Sequence, residues 1–277
     1  MTLKKTLTIA GSDTSGGAGI QADLKTFQEY GTYGMTALTV IVTMDPDNGW
    51  SHGVHPVPVE TLPPQLKTAF STGVDALKTG MLPTVEIIEA AAKGIAESGV
   101  EQVVIDPVLV CKGEDEVLFP ENVDAMVKHL LPIAQVVTPN LFEAGQLSGL
   151  GNLESIDDMK RAAEIIHERG AKTVAIKGGK QLPHDKAVDL FFDGSKHYLL
   201  ITERSDTSYT HGAGCTFAAA ITAGLANGSS VYDAVVDAKA FVSAAISHGW
   251  KLNEFVGPVM HGAVNSFGYP EVTVEEA

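Results

Sequence analysis

Cysteine is scarce. Cys111 and Cys215 are the two thiols in 277 residues, too few for a disulfide scaffold. Basic side chains are few as well: 19 Lys and Arg stand against 34 Asp and Glu, a formal charge of −15. A general nucleic-acid or membrane-surface binder needs a basic face, so neither nucleic acid nor membrane is expected as a partner. A local positive site for an anionic ligand remains compatible with this balance. No apolar run has the length of a membrane-spanning helix. The run Leu7 to Ala10 near the N-terminus is too short for the apolar stretch of a secretion signal. The expected compartment is the cytoplasm, with reduced thiols and an idle sequon at Asn227-Gly228-Ser229. With 44% hydrophobic and 19% charged residues, the composition is globular and not disordered. A chain of this size buries roughly three quarters of its unfolded surface and needs no metal to fold. One α/β domain over residues 1–277 is the expectation.

Two periods alternate along the chain. Strand-like runs are Leu7 to Ala10, Leu38 to Thr43, Ala76 to Thr79, Gln102 to Ile105, Gln135 to Val137, Thr173 to Lys177, Val188 to Phe192 and Tyr198 to Thr202. Helical patterns cover Ala18 to Tyr30, Val59 to Thr72, Val85 to Ser98, Val123 to Leu131 and Ile156 to Arg169, and two Ala-rich helices fill Gly214 to Trp250. This order predicts an α/β fold with a central, mostly parallel sheet and helices on both faces. Asp193-Gly194 between VDLFF and HYLLIT is a hairpin signal, which adds a small antiparallel edge. The acidic tail EVTVEEA reads as a solvated end.

Three glycine-bearing segments follow strand-like runs, where ligands of open α/β sheets collect. The first, Gly11 to Asp23, contains Gly17-Ala18-Gly19-Ile20-Gln21-Ala22, a match to the dinucleotide-binding fingerprint. The strand ends several residues too early for that fingerprint. Asp13 would repel a pyrophosphate there, but it can accept a hydrogen bond from a substrate hydroxyl. A long turn that caps the next helix is the alternative. The second, Lys177-Gly178-Gly179-Lys180, lacks Walker spacing; it permits close backbone approach to a nucleotide or is a plain turn. The third, His211-Gly212-Ala213-Gly214-Cys215, leads into a strong helix, whose first N–H groups form an anion hole. Cys215 in that first turn is either a thiol ionised by the helix field or a buried, inert Cys. Asn140 and Glu143, three apart, share one side of a helix start; they suit metal positioning with Asp106 and also suit a capping box.

In order, Ala10-Gly-Ser-Asp13, Gly17 to Asp23, Lys78-Thr-Gly-Met81, Asp106-Pro-Val108, Thr138-Pro-Asn140-xx-Glu143, Lys177-Gly-Gly179 and His211-Gly-x-Gly-Cys215 resemble the hydroxymethylpyrimidine/phosphomethylpyrimidine kinase branch of the ribokinase-like superfamily. The resemblance runs from about Leu7 to Gly262. It implies a ribokinase-like sheet and phosphorylation of a hydroxymethyl group on a heteroaromatic ring, with ATP and Mg²⁺. Where pyrimidine kinases of the family carry an amide, this chain has Ile41, and a pocket without that polar pair discriminates poorly for a polar ring edge. Val110-Cys111-Lys112 adds a second thiol in the lid segment. In both respects the chain is similar to the dual-cysteine pyridoxal kinases of Gram-positive bacteria, in which the lid thiol adds to the aldehyde of pyridoxal.

The resemblance also distributes roles. Cys215 lies at the acceptor hydroxyl and Cys111 at the aldehyde, while Gly212 and Gly214 belong to the anion hole with Ala213 and Cys215. Ser12, Asp13, Gly19, Ile41, His52, Met81, Val108 and His211 surround the ring, although His52 is also readable as an ordinary loop residue. Lys112, Asn140, Lys177, Gly178, Gly179, Gly214 and Lys239 serve ATP; a solvated helix face is an equal reading for Lys239. Asp106 and Glu143 serve Mg²⁺. Relatives suggest a homodimer. Three competitors stay open: a hydroxymethylpyrimidine kinase sharing the whole site, a dinucleotide oxidoreductase resting on Gly17 to Ala22, and a binding protein on a relict kinase fold, which would require the anion hole or Cys215 to be disabled.

Overall fold

The computed structural model describes residues 2–109 and 121–277. Along the chain come β1 (Lys5–Asp13), α1 (Gly19–Glu29), β2 (Tyr33–Asp45), β3 (Ser51–Pro56), α2 (Leu62–Phe70), β4 (Ala76–Thr79), α3 (Val85–Ser98) and β5 (Val103–Ile105). They are followed by α4 (Glu121–His129), β6 (Val136–Val137), α5 (Leu141–Ser148), α6 (Ile156–Glu168), β7 (Thr173–Lys177), β8 (Ala187–Phe192) and β9 (His197–Thr202), then α7 (Ala213–Ala226), α8 (Val231–Ser247), α9 (Ala263–Phe267) and β10 (Thr273–Glu276). The described strands form one sheet in the order β10-β9-β8-β7-β6-β5-β4-β1-β2-β3. The body from β7 to β2 is parallel, and both edges are antiparallel.

Side-chain alternation explains the layers. Leu77, Val103, Ile105, Val137, Val174 and Ile176 face a core shared with α2 through α6. Their neighbours Ala76, Val104, Val136 and Ala175 face the other side, where α7 and α8 supply Phe217, Ile221, Phe241 and a run of alanines. The small alanines let α7 lie close to the sheet and to α1, where Phe27 meets Ala219 and Ala223. Such a central helix is apolar nearly all round, and from Thr216 to Ala226 every residue of α7 is buried.

Two expectations need correction. The acidic tail is solvent-exposed as expected but is not a loose end: Val274 opposes Leu200 and Glu276 opposes Tyr198, so β10 extends the antiparallel edge. Strand β3, absent from the periodicity reading, forms a hairpin with β2 at the opposite edge. It escapes the pattern because neither face is buried, so nothing enforces a hydrophobic alternation.

Candidate active site

The chain runs from β1 outward to β2 and then returns to β4 on the other flank of β1. A sheet of this kind opens a crevice where the strand order reverses, beyond the carboxyl ends of the strands. Asp13 closes β1, Lys78 lies in β4 with Gly80 just beyond it, Asp106 follows β5, and Lys177 ends β7.

The start of α7 faces this crevice. Gly212, its N-cap, has φ 82° and no side chain caps the helix. The Ala213 N–H is taken by Thr210 O at 3.2 Å, which removes it from the expected anion hole. The Gly214 and Cys215 N–H groups have no acceptor among the described residues. A Cβ on Gly214 would stand 3.4 Å from Lys177 Nζ, so the ammonium lies over the open first turn. Amides, helix field and ammonium thus converge on one space suited to an anion. Lys177 pairs with Asp106 Oδ1 at 3.0 Å, and Thr138 Oγ1 donates to the same oxygen at 3.3 Å. Burial works against the Lys177 charge, but Asp106 and then Glu143 hold its pKa above the ordinary lysine value.

The first glycine segment has a different task from the one its fingerprint suggested. Asp13 Oδ1 accepts from Ser15 N and Ser15 Oγ, both at 2.7 Å. Its Oδ2 accepts from Gly17 N at 3.1 Å, Ala18 N at 2.8 Å and His211 Nε2 at 2.7 Å. The acceptor capacity expected for a substrate hydroxyl is therefore filled from within the protein. Burial opposes the charge on Asp13, yet the bonds from His211 and Ser15 hold the carboxyl far below its ordinary range. A Cβ on Gly17 would fall 2.4 Å from His211 Cδ2, and one on Gly212 would fall 1.8 Å from Gly17 O. Gly212 thus serves backbone-to-backbone contact between the two loops and Gly17 leaves room for the His211 ring, instead of forming a pyrophosphate turn. His211 is the joint: it is bound to Asp13 and nine-tenths buried.

Cys215 meets burial rather than the helix field. Its thiol is pushed up to about 12 by burial, against the pull of Lys78 and with Asp23 and Asp106 acting to raise it further. The expected ionised thiol is thus corrected: desolvation raises the pKa where the helix start was expected to lower it. The Gly19 N–H donates to the sulfur, which gives Gly19 a positioning role. Beneath lies an ion pair that no sequence role anticipated. Lys78 Nζ reaches Asp23 Oδ2 at 2.9 Å and Oδ1 at 3.1 Å, with both side chains fully buried. Thr8 Oγ1 donates to Asp23 at 2.7 Å. A lysine inside the apolar run Ala76-Leu77-Lys78-Thr79 was the available signal.

Lys239 is neither solvated nor free to meet an adenine. It pairs with Asp189 Oδ2 at 2.8 Å and is 3% exposed. Asp189 Oδ1 accepts from Gly178 N at 2.9 Å, so Lys239 acts on the Gly178-Gly179 turn through Asp189. Gly178 is held where a Cβ would be 2.2 Å from Val188 O, and Gly179 turns with φ 58° beside open space. Asn140 and Glu143 form the capping box of α5: Asn140 N donates to Glu143 Oε2 and Glu143 N to Asn140 Oδ1, each at 2.8 Å. Burial pushes Glu143 up to about 7, with Lys177 pulling down and Asp106 pushing up.

The ring-side residues meet only in part. Ser12 lies beside Ile41 in the β1–β2 register, Ser12 Oγ accepts from Gln21 at 2.8 Å, and Ile41 is 40% exposed. Met81 O accepts from Thr39 Oγ1 at 2.7 Å; the Val108 N–H donates to Asp106 O at 3.0 Å. His52 opposes Met44 while Ile41 opposes His55, so by strand alternation His52 and Ile41 point to opposite faces of the hairpin. Cys111 and Lys112 lie outside the described residues.

No group of three or more His, Cys, Asp or Glu among the described residues could hold a metal. An Mg²⁺ ion asks for less: one or two carboxylates, with waters and phosphate oxygens completing its shell. Asp106 supplies such a carboxylate, because its bonds to Lys177 and Thr138 both use Oδ1. The buried Glu143 is the second, so the donor chemistry fits.

The family model for phosphomethylpyrimidine kinase matches residues 13–260. The chain belongs to this family. Within it, the chain is 63% identical over 276 residues to a putative pyridoxine kinase of Staphylococcus aureus, covering both chains completely. It is 43% identical over 264 residues to the hydroxymethylpyrimidine/phosphomethylpyrimidine kinase of Bacillus subtilis, covering 95% of this chain and 96% of that one. Among solved structures, pyridoxal kinase from Staphylococcus aureus in complex with pyridoxal superposes with TM-score 0.95 at 61% identity, and its ADP complex with 0.96, each covering both chains in full. The shared fold is the ribokinase-like α/β sheet anticipated from the alternating pattern.

Proposed function

We propose that this chain is an ATP-dependent kinase that transfers the γ-phosphoryl group of ATP to the 5′-hydroxymethyl group of pyridoxal, and of pyridoxine and pyridoxamine, in vitamin B6 salvage. One observation carries the reading: Lys177 and the uncapped first turn of α7 converge, Gly214 leaving space beside the ammonium. The pyridoxal and ADP complexes of the Staphylococcus aureus kinase supply the chemistry that such a space receives. Ile41, apolar and half exposed beside Ser12, favours pyridoxal over the pyrimidine.

Phosphoryl transfer asks for positioning and charge neutralisation more than for covalent help. Lys177 and the N–H groups of Gly214 and Cys215 hold the migrating phosphoryl. The Gly178-Gly179 turn, set by Asp189 and Lys239, receives the nucleotide, and Asn140 fixes the neighbouring helix start. When bound, Mg²⁺ neutralises phosphate charge, with Asp106 and Glu143 as its protein donors. The thiol of Cys215, pushed up to about 12, keeps its own proton at neutral pH and does not act as a base. A loose transition state tolerates this because little proton transfer is needed early. As the O–P bond closes, the hydroxyl proton passes to an oxygen of the transferred phosphoryl group, with Cys215 orienting the hydroxyl, and Cys111 engages the aldehyde.

The deciding experiment measures ATP consumption with Mg²⁺ on pyridoxal, pyridoxine, pyridoxamine and hydroxymethylpyrimidine side by side. Turnover of the B6 forms well above the pyrimidine is expected; the reverse order would establish the pyrimidine kinase instead. In the same assay Cys111→Ala lowers pyridoxal turnover far more than pyridoxine turnover, since only pyridoxal carries an aldehyde. The homodimer and the cytoplasmic location belong to the same reading, and light scattering of the purified chain tests the former. No helix among the described residues is long and apolar enough to cross a membrane.

A further inference from the structure

The β2–β3 hairpin overhangs the crevice. β1 ends at Asp13, level with Val42, while β2 continues to Asp45 with only β3 beside it. No residue from 41 to 56 is buried, so the hairpin has little core of its own to hold its position. Near its base Thr14 N and Oγ1 bond Val42 O at 3.1 and 2.9 Å. At its tip, Trp50 has φ 66°, the one positive φ outside glycine among the described residues. Its N–H bonds Asp45 O at 2.9 Å. This backbone conformation disfavours a bulky side chain and persists only where surrounding structure imposes it.

The Trp50 ring stacks on Phe255, with centroids 5.5 Å apart and planes within 18°. Phe255 belongs to a loop fastened to the other wall of the site. Gly257 O accepts from His211 N, and His211 O accepts from Val259 N, each at 3.1 Å. Gly257 also lies against the Tyr209 ring, where a Cβ would fall 2.1 Å from Cδ1. Phe255 N and Val256 N donate to Asn253 Oδ1 at 2.9 Å, which sets the turn that presents the ring. One stacked pair therefore joins the hairpin carrying Ile41 to the segment that leads into Gly212 and Cys215.

We propose that Trp50 and Phe255 form an aromatic clasp that fixes the β2–β3 hairpin across the acceptor side of the site, making Phe255 a positioning residue for the heteroaromatic acceptor and not for the nucleotide. The proposal rests on the reading of this site as a B6 kinase. Without the clasp the hairpin samples open positions and the acceptor must close it on binding, so acceptor affinity falls by the population of the competent position. One aromatic pair corresponds to roughly a threefold to tenfold effect.

The test is steady-state kinetics of Phe255→Ala, Phe255→Tyr and the loop control Leu252→Ala, varying pyridoxal and ATP separately, with melting temperature and elution volume recorded. Phe255→Ala is expected to raise the pyridoxal KM about threefold to tenfold, with the ATP KM and kcat changed less than about twofold. Phe255→Tyr should restore the wild-type KM, and Leu252→Ala should leave it alone. An unchanged pyridoxal KM in Phe255→Ala, an equal rise in both KM values, or a change in oligomer size would overturn the clasp. A wild-type enzyme that does not phosphorylate pyridoxal would instead overturn the functional reading and the clasp with it.

Discussion

Removing the charge of Lys78 tests how the floor of the site is built. Lys78 and Asp23 are both fully buried and meet at 2.9 and 3.1 Å. Lys78→Met keeps the bulk of the side chain but strands Asp23 with Thr8 as its main donor. Breaking a buried pair from one side costs about 3–5 kcal/mol, because the remaining charge is uncompensated. For a domain of this size that lowers the melting temperature by about 10 °C. Burial already pushes the Asp23 carboxyl up and Lys78 is the principal force opposing it, so the single variant raises that pKa further. A carboxyl whose folded pKa exceeds its unfolded value stabilises at low pH and loses that contribution as pH rises through the folded pKa. The stability deficit of Lys78→Met should therefore grow from pH 5 to pH 8. The double variant Lys78→Met/Asp23→Leu removes both charges and should recover most of the loss. Circular-dichroism melts and urea titrations at the two pH values read all of this. A single variant melting within about 2 °C of wild type, or a double variant no more stable than the single one, would refute the reasoning.

Two glycines of one motif should behave oppositely. Gly212→Ala drives a Cβ to 1.8 Å from Gly17 O at φ 82°, so a stability loss on the order of 3 kcal/mol is expected in chemical denaturation. Gly214→Ala meets only the Lys177 ammonium, at an ordinary contact distance of 3.4 Å; it should melt like wild type yet lose about a hundredfold in kcat, since its methyl group occupies the phosphoryl space. Lys239→Met releases Asp189 from one side and should raise the ATP KM while sparing the pyridoxal KM, as read from paired substrate titrations. His261, buried with Nε2 unpartnered, is lowered from 6.5 to about 4 by burial and then by Lys25 and His211. The unfolded chain therefore binds a proton that the folded one refuses below pH 6.5, so stability is complete above that pH and falls as pH drops toward 4. Going from pH 7.5 to 5 should cost about 2 kcal/mol, and His261→Gln should flatten that slope in urea titrations.

Much of the scaffold was legible because burial on both faces of a parallel sheet writes continuous apolar runs such as Thr173 to Lys177. The capping box at Asn140 and Glu143 was equally readable, being a purely local device. What escaped depended on partners far along the chain. Asp189 and Lys239 are 50 residues apart, and only the folded protein shows that each is the other's counterion. Asp13 looked like a free acceptor until His211, 198 residues away, arrived to fill it. For Cys215 the helix start was visible in sequence, but the groups that set its pKa, Lys78, Asp23 and Asp106, come from distant parts of the chain. The edge strands β3 and β10 were missed for the opposite reason: exposed pairing leaves almost no hydrophobic record.

The seam where Gly17 O meets Gly212 has an evolutionary corollary. Main chain touching main chain offers no side chain for selection to adjust, so that junction is closed to gradual change. New acceptor preferences in this lineage must arise elsewhere, and the sparsely anchored ribbon bearing Ile41 is the part of the catalytic mouth with room to vary.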